Sequence, residues 1–166
     1  MSRHDACEVL ARQPNKFTHL VSIIGTDDHT IPPFQVVDNR VELQFDDVLR
    51  PFGAYTPPNE HDIRRLIAWA IETKPKDEDG MRFARYLFHC AAGISRSTAA
   101  AFIVLVAIGF SEGEAMGMLT RARKIARPHQ GMVAMADAQL GRNGAMVDAI
   151  VEFEARRRAS YRSSVA

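Results

Sequence analysis

The chain has 166 residues, of which 46% are hydrophobic and 25% charged, and its formal net charge is +1. This length suits one domain with a sizeable core, and the composition is ordinary for a globular protein. A nearly neutral chain gives no electrostatic reason to expect nucleic acid as a partner. We expect a single domain over residues 1–166, with an N-terminal extension at 1–16, a core at 17–140, and a C-terminal helix and basic tail at 141–166.

Signals for export or membrane insertion are absent from the sequence. Residues 1–15 are polar and lack the apolar centre of a signal peptide, and the apolar stretch at 99–110 is shorter than the ~20 residues that span a bilayer. Two cysteines occur, Cys7 and Cys90, which suits a reducing compartment. We therefore predict a cytoplasmic protein with no membrane partner. Oxidation of Cys7 onto Cys90 as a redox brake stays an open hypothesis.

Two strands are predicted in the first third of the chain. Residues 19–25 are rich in apolar and β-branched side chains and end at a glycine, which favours a buried strand. A polar loop follows at residues 27–33. Apolar side chains then alternate strictly at Val41, Leu43 and Phe45, which indicates a second strand with one buried face.

The remaining chain is mostly helical. A proline-rich connection at residues 46–58 and a charged turn at 76–80 interrupt it. Apolar spacing predicts a strand at 86–88 and helices at 60–73, 98–110, 111–126, 131–140 and 143–157. Asn59 can cap the helix at 60–73, and Ser111 with Glu114 forms a capping box for the helix at 111–126. Strands first and helices last indicate an α/β or α+β fold. The loop that joins strand 86–88 to the next helix would lie at the carboxyl end of a parallel strand.

That loop carries the strongest motif, His-Cys-Ala-Ala-Gly-Ile-Ser-Arg-Ser, with five residues between Cys90 and Arg96. Main-chain N–H groups at a helix start attract a phosphate dianion and also lower the pKa of a nearby thiol. Arg96 adds a planar fork of donors, Gly93 permits a turn that other residues resist, and Ser97 brings a hydroxyl near the sulfur. A free cysteine is often only a small buried hydrophobe, but the coincidence of these four residues favours a reactive thiolate.

The segment resembles the signature loop of the cysteine-dependent protein tyrosine phosphatases, and Ala-Gly-Ile-Ser-Arg-Ser is especially similar to the dual-specificity branch. The resemblance covers roughly residues 17–140. It implies a central, mostly parallel twisted sheet flanked by helices, with a C-terminal helical segment. It also implies hydrolysis of a phosphate monoester through a phosphocysteine intermediate, without a cofactor. The implied phosphate-binding residues are Ala91, Ala92, Gly93, Ile94, Ser95 and Arg96.

The resemblance further assigns roles to three residues. Cys90 would be the nucleophile, His89 would support the loop by hydrogen bonding, and Ser97 would ease departure of the sulfur in the second step. Vanadate, sulfate and phosphate would bind in the loop as oxyanions. The six histidines show no spacing typical of metal ligands, so we expect no metal site.

The proton donor should be a carboxyl group that follows a strand upstream of the cysteine. Asp46 and Asp47 both fit, and the alternation that ends at Phe45 puts Asp47 in phase with the core-facing positions. We favour Asp47 over Asp46 as the acid, and the alternative is that both aspartates only cap a turn or a helix start. Asp27 and Asp28 are a third choice. Gln130 is a weaker candidate for positioning the hydrolytic water.

The loop interior bears on the substrate, because Ala91, Ala92 and Ile94 are uncharged. Lipid-phosphate members of the superfamily carry basic residues there, so a phosphorylated protein or peptide is the better prediction, with phosphotyrosine first and phosphoserine or phosphothreonine also open. Two other functions stay open: sulfur transfer as in rhodanese-like domains, and a phosphate-binding module that has lost turnover. Low-molecular-weight phosphatases and arsenate reductases share the spacing but have the acid after the cysteine, the reverse of the order here.

Overall fold

The computed structural model describes residues 1–28 and 32–165, with side chains for all of these except 32, 33 and 160–165. The predicted polar loop at 27–33 therefore lies in part outside the described residues. The strands are β1 His19–Ile24, β2 Asn39–Gln44 and β3 Tyr86–His89. The helices are α1 Arg3–Arg12, α2 Glu60–Thr73, α3 Glu78–Phe83, α4 Arg96–Ala107, α5 Glu112–Ala122, α6 Gln130–Gln139 and α7 Ala145–Val165. Short 3₁₀ turns occupy Pro14–Lys16 and Pro32–Val36.

The three strands form one parallel sheet in the order β2-β1-β3. Val21 pairs with Val41 on one side of the central strand and with Phe88 on the other. Every residue of β1 is buried, as expected for a parallel strand with helices on both faces. The predicted α/β class with a parallel sheet flanked by helices is confirmed.

Side-chain alternation along β1 divides the core between the two faces of the sheet. Val21 and Ile23 belong to the larger apolar cluster, which also contains buried side chains of α2, α4, α5, α6 and α7. Leu20 points to the other face and packs in a smaller cluster with Ala6 and Leu10 of α1 and with Phe34. The period of two that the strand imposes therefore gives each face its own core.

Helix α4 is the central element of the larger face. It contacts β1, β3, α2, α5 and α6, and nearly all of its side chains are buried. Gly109, with φ of +114°, lies just beyond its end, where a left-handed residue is easiest for glycine. This helix begins directly after the signature loop, so a well-packed element fixes the loop from its carboxyl side.

Several predicted boundaries hold and others change. Asn59 caps α2, as predicted, and Asp62 completes a capping box there; Ser111 and Glu114 form the predicted capping box of α5. The predicted turn at residues 76–80 is wrong, because Asp77 caps the short helix α3 there. Helix α5 ends at Ala122 rather than near 126.

Residues 1–16, for which the sequence predicted only an N-terminal extension, contain helix α1, capped by Ser2. In the part of the chain that the structure describes, no helix is both long and apolar enough to cross a membrane.

Candidate active site

The signature loop folds around the sulfur of Cys90, which lies immediately after β3 and is only 2% exposed. The N–H of Gly93 donates to Sγ across 3.3 Å, and the hydroxyl of Ser97 lies 3.3 Å from the same sulfur. Gly93 has φ of +70°, a left-handed conformation that L side chains rarely adopt. The glycine thus permits the turn that aims its own amide at the thiol.

Opposing effects act on the pKa of the Cys90 thiol. Burial raises it, but the hydrogen bonds from the Ser97 hydroxyl, the Ser97 N–H and the Gly93 N–H lower it, as does the positive charge of Arg96. The lowering effects prevail, so the pKa of Cys90 lies below its ordinary value. These contacts stabilise the thiolate, the nucleophilic form of cysteine, more than water stabilises a free thiolate.

Arg96 is the first residue of α4 and is buried, with 6% of its surface exposed. Its Nη1 donates to the carbonyl oxygen of Phe45 across 2.6 Å, while Nε has no hydrogen-bond partner among the described residues. A buried guanidinium N–H without a hydrogen-bond partner is costly. The side chain is thus anchored by one nitrogen, while a second nitrogen has no partner among the described residues.

Ser95 occupies the N-cap position of α4 but does not cap the helix with its side chain. Its hydroxyl instead donates to Oδ1 of Asp47 across 2.6 Å. The first N–H groups of α4 consequently receive no side-chain cap and stay available for an anion. The same contact brings the carboxyl group of Asp47 to the signature loop, where the side chain is 43% exposed.

Asp46 has a different environment from Asp47. Its carboxylate accepts hydrogen bonds from the N–H and hydroxyl of Thr26 and from the N–H of Thr56. Burial raises the pKa of Asp46, but these hydrogen bonds prevail and hold it below its ordinary value. Asp46 therefore behaves as a structural carboxylate that ties together two loops, which is the alternative that the sequence left open.

The third-choice carboxyl group, Asp28, is also engaged. It accepts from Nη1 of Arg3 across 2.6 Å and from the N–H of Gly25, and these contacts lower its pKa. A carboxylate held ionised by a cation is poorly suited to donate a proton. Of the candidates with a described environment, Asp47 is the one that faces the signature loop.

His129 is a residue at this site that the sequence analysis did not single out. It precedes α6, is 6% exposed, and its Nε2 lies 3.1 Å from the carbonyl oxygen of Val48 and 4.0 Å from Oδ1 of Asp47. The available signal was positional, because a histidine directly after Pro128 stands where a helix cap is expected. Four consecutive residues of the acid-bearing loop, 45–48, are thus each held by a different contact.

The two remaining predicted contributors are His89 and Gln130. The ring of His89 stacks on Phe34, with centroids 4.1 Å apart, and neither ring nitrogen has a hydrogen-bond partner among the described residues. Burial and nearby positive charges lower the pKa of His89 to about 4, so the ring is neutral. The hydrogen-bonding support expected of His89 is not observed. Gln130, the first residue of α6, is exposed and next to His129 in the chain.

The first residues of the chain pack against the signature loop. The main-chain N–H of Arg3 donates to the carbonyl oxygen of Ala91, and the backbones of Met1 and Ser2 lie so close to Gly93 that a Cβ there would approach within 2.3 Å. On another side, Nε of Arg123 donates to the carbonyl oxygen of Gly93. Glycine is therefore required at 93 for close packing as well as for its φ angle.

Both cysteines are free, and Cys7 packs against the smaller apolar cluster whereas Cys90 belongs to the larger one. Within residues 1–28 and 32–165, no three His, Cys, Asp or Glu side chains come together as a set of metal ligands.

Comparison with known proteins identifies the fold. No family model matches the chain, and no curated protein matches it. Among solved structures, DUSP15 aligns with a TM-score of 0.57 and 20% identity, over 93% of this chain and 88% of that chain. Human DUSP28 aligns with a TM-score of 0.56 and 17% identity, over 80% and 81%. The human tyrosine phosphatase-like serine/threonine/tyrosine-interacting protein aligns with a TM-score of 0.56 and 16% identity, over 86% of both chains.

Proposed function

We propose that this chain, which has the fold of the dual-specificity phosphatases, is a cysteine-dependent protein phosphatase that hydrolyses phosphate monoesters without a metal. The observation that carries the proposal is the contact between Ser95 and Asp47. It brings a carboxyl group to the same loop that holds the buried thiol of Cys90 and the guanidinium of Arg96. The proposed nucleophile and phosphate clamp come from one loop and the proposed proton donor from another, so the contact supports a single site for all three.

In the first step, Sγ of Cys90 attacks phosphorus and the bond between phosphorus and the ester oxygen breaks. Asp47 gives its proton to that oxygen, so the alcohol or phenol leaves neutral. The main-chain N–H groups of residues 91–96 and the guanidinium of Arg96 bind the phosphoryl oxygens and stabilise their charge in the transition state. The products are the free hydroxyl compound and a phosphocysteine.

In the second step, water attacks the phosphocysteine and the bond between sulfur and phosphorus breaks. The carboxylate of Asp47 takes a proton from that water, which restores its acid form. The hydroxyl of Ser97, 3.3 Å from Sγ, stabilises the departing thiolate by hydrogen bonding. Inorganic phosphate is released, and both Cys90 and Asp47 return to their starting states.

A phosphorylated protein or peptide is the substrate class that we propose, with phosphotyrosine as the first choice and phosphoserine or phosphothreonine as further substrates. Ala91, Ala92 and Ile94 offer no charge to additional phosphate groups of an inositol ring. The loop that carries Asp47 also exposes Leu49, Phe52 and Tyr55, apolar side chains suited to a peptide that flanks the phosphate. Free cysteines support a reducing, cytoplasmic setting.

The proposal is tested by measuring phosphate release from an aryl phosphate in the presence of a metal chelator. Wild type should turn over, vanadate should inhibit it, and Cys90→Ser should abolish turnover. Thiosulfate-dependent conversion of cyanide without phosphate release would instead indicate a sulfurtransferase. Tight binding of a phosphotyrosine peptide with no release by wild type would indicate a binding module that has lost turnover.

A further inference from the structure

His129 uses both ring nitrogens to join α6 to the loop that carries Asp47. The main-chain N–H of Met132 donates to Nδ1 across 3.2 Å, so in the neutral ring the proton lies on Nε2. Nε2 is then the donor to the carbonyl oxygen of Val48, 3.1 Å away. The ring is buried, so water competes little for either hydrogen bond.

The contact with Val48 comes directly after the other hydrogen bonds that hold this loop. Asp46 is fixed by Thr26 and Thr56, and Asp47 by Ser95. Residues 49–55, which follow Val48, are exposed. Among the described residues, the hydrogen bonds of this segment are those between the backbones of Phe52 and Tyr55. His129 therefore holds the last fixed carbonyl before an exposed segment that contains Pro51 and Gly53.

We propose that His129 is a positioning residue for the proton donor: its Nε2–H holds the carbonyl of Val48, and this fixes the backbone on which Asp47 approaches the leaving oxygen. The inference rests on the proposed function and adds a residue to its acid-bearing loop. Nε2 is also 4.0 Å from Oδ1 of Asp47, so the ring limits movement of that carboxyl group toward α6.

Two substitutions separate this role from simple capping of α6. His129→Ser keeps a short oxygen acceptor for the N–H of Met132, a good N-cap, but cannot reach Val48. His129→Gln places an amide N–H about as far from its Cα as Nε2, so it keeps the donor to Val48 while it caps poorly. A role confined to capping predicts that Ser is the better replacement, whereas a positioning role predicts that Gln is.

Leaving-group dependence provides the readout that a structural role would not change. Phenyl phosphate needs a proton on its leaving oxygen, whereas the phosphate ester of a strongly acidic phenol needs little assistance. We expect His129→Ser to lower kcat with phenyl phosphate about 10-fold, the scale of one lost hydrogen bond, and to change kcat with the acidic phenol ester less than about 2-fold. His129→Gln should recover most of the lost rate, and vanadate affinity should stay unchanged in both variants.

Three outcomes decide the inference. Recovery by Gln together with a leaving-group-dependent loss in Ser supports it. Equal losses with both esters, or a Ser variant that matches wild type, overturn it while wild-type turnover still supports the phosphatase proposal. If wild type releases phosphate from neither ester, the proposed function fails and the assignment of His129 fails with it.

Discussion

Ser95 donates a 2.6 Å hydrogen bond to Asp47 although the two residues are 48 positions apart in the chain. Ser95 belongs to the signature loop and Asp47 to the loop after β2, so this contact couples phosphate binding to proton donation. Oδ1 of Asp47 is occupied by the contact, and no described residue forms a hydrogen bond with Oδ2. The free oxygen is the one suited to carry the proton to a leaving group.

Ser95→Ala should therefore weaken proton donation by Asp47 without abolishing phosphate binding. We expect kcat with phenyl phosphate to fall about 10-fold, because one hydrogen bond to a carboxyl group is lost. Steady-state kinetics measures this loss, with Ser111→Ala as the matched control. Ser111 caps α5 in a capping box, so its removal should lower stability by about 1 kcal/mol and leave kcat unchanged. A Ser95→Ala variant with wild-type kcat would contradict the coupling.

Substitution of Asp47 should affect activity, whereas substitution of the adjacent Asp46 should affect stability. Asp47→Asn should lower kcat with phenyl phosphate by roughly 10²–10⁴-fold, the usual contribution of a general acid, and leave the urea midpoint almost unchanged. Asp46→Ala should remove three hydrogen bonds and lower the free energy of unfolding by about 1–3 kcal/mol. The reverse pattern, with activity lost mainly at Asp46, would show that the acid is misassigned.

The lowered pKa of Cys90 predicts its reactivity toward iodoacetamide. A lowered thiol pKa favours the thiolate in the folded protein, so in a Cys7→Ser background the midpoint of the alkylation rate profile should lie below the ordinary thiol pKa of 9.0. Ser97→Ala removes a hydrogen bond that lowers this pKa, and the midpoint of the rate profile should move to higher pH. Measurement of alkylation rate against pH checks both statements. An unchanged midpoint in Ser97→Ala would show that the Ser97 hydroxyl does not lower the pKa of Cys90.

Gly93 and Gly113 offer a matched pair of glycine substitutions. Gly93→Ala should lower stability and abolish turnover, because its φ of +70° is strained for alanine and the new Cβ would overlap the backbones of Met1 and Ser2. Gly113 lies within α5 with nothing near its Cβ position, so Gly113→Ala should raise the free energy of unfolding by about 0.5–1 kcal/mol. Urea unfolding and phosphate release measure the two effects. An active, stable Gly93→Ala variant would contradict the packing described here.

Much of the fold could be predicted because its signals are local. The alternation at Val41, Leu43 and Phe45 indicated a strand, and Asn59 and Ser111 marked helix starts that the structure confirms. Helix α1 was missed because it buries few apolar side chains, chiefly Ala6 and Leu10, so its periodicity is weak. The short helix α3 was missed because six residues carry little periodic signal.

The candidate site likewise contains residues that local sequence signals reveal and residues that they do not. Cys90 and Arg96 lie in one loop with five residues between them, so sequence spacing alone predicted them. The phase of a strand favoured Asp47 over Asp46, but the hydrogen bonds that occupy Asp46 come from Thr26 and Thr56, which only the folded chain brings near. His129 could not be found from spacing, because its partner Val48 lies 81 residues away.

Chemical trapping can capture the proposed phosphocysteine intermediate itself. Ser97→Ala should slow departure of the thiolate more than its phosphorylation, so rapid acid quenching during turnover of an aryl phosphate should leave a phosphoryl group on Cys90, seen by mass spectrometry of the peptide. The expected result is one phosphoryl group per chain, located on that sulfur. Phosphate release that proceeds with Cys90 unmodified, or that survives Cys90→Ser, would contradict it.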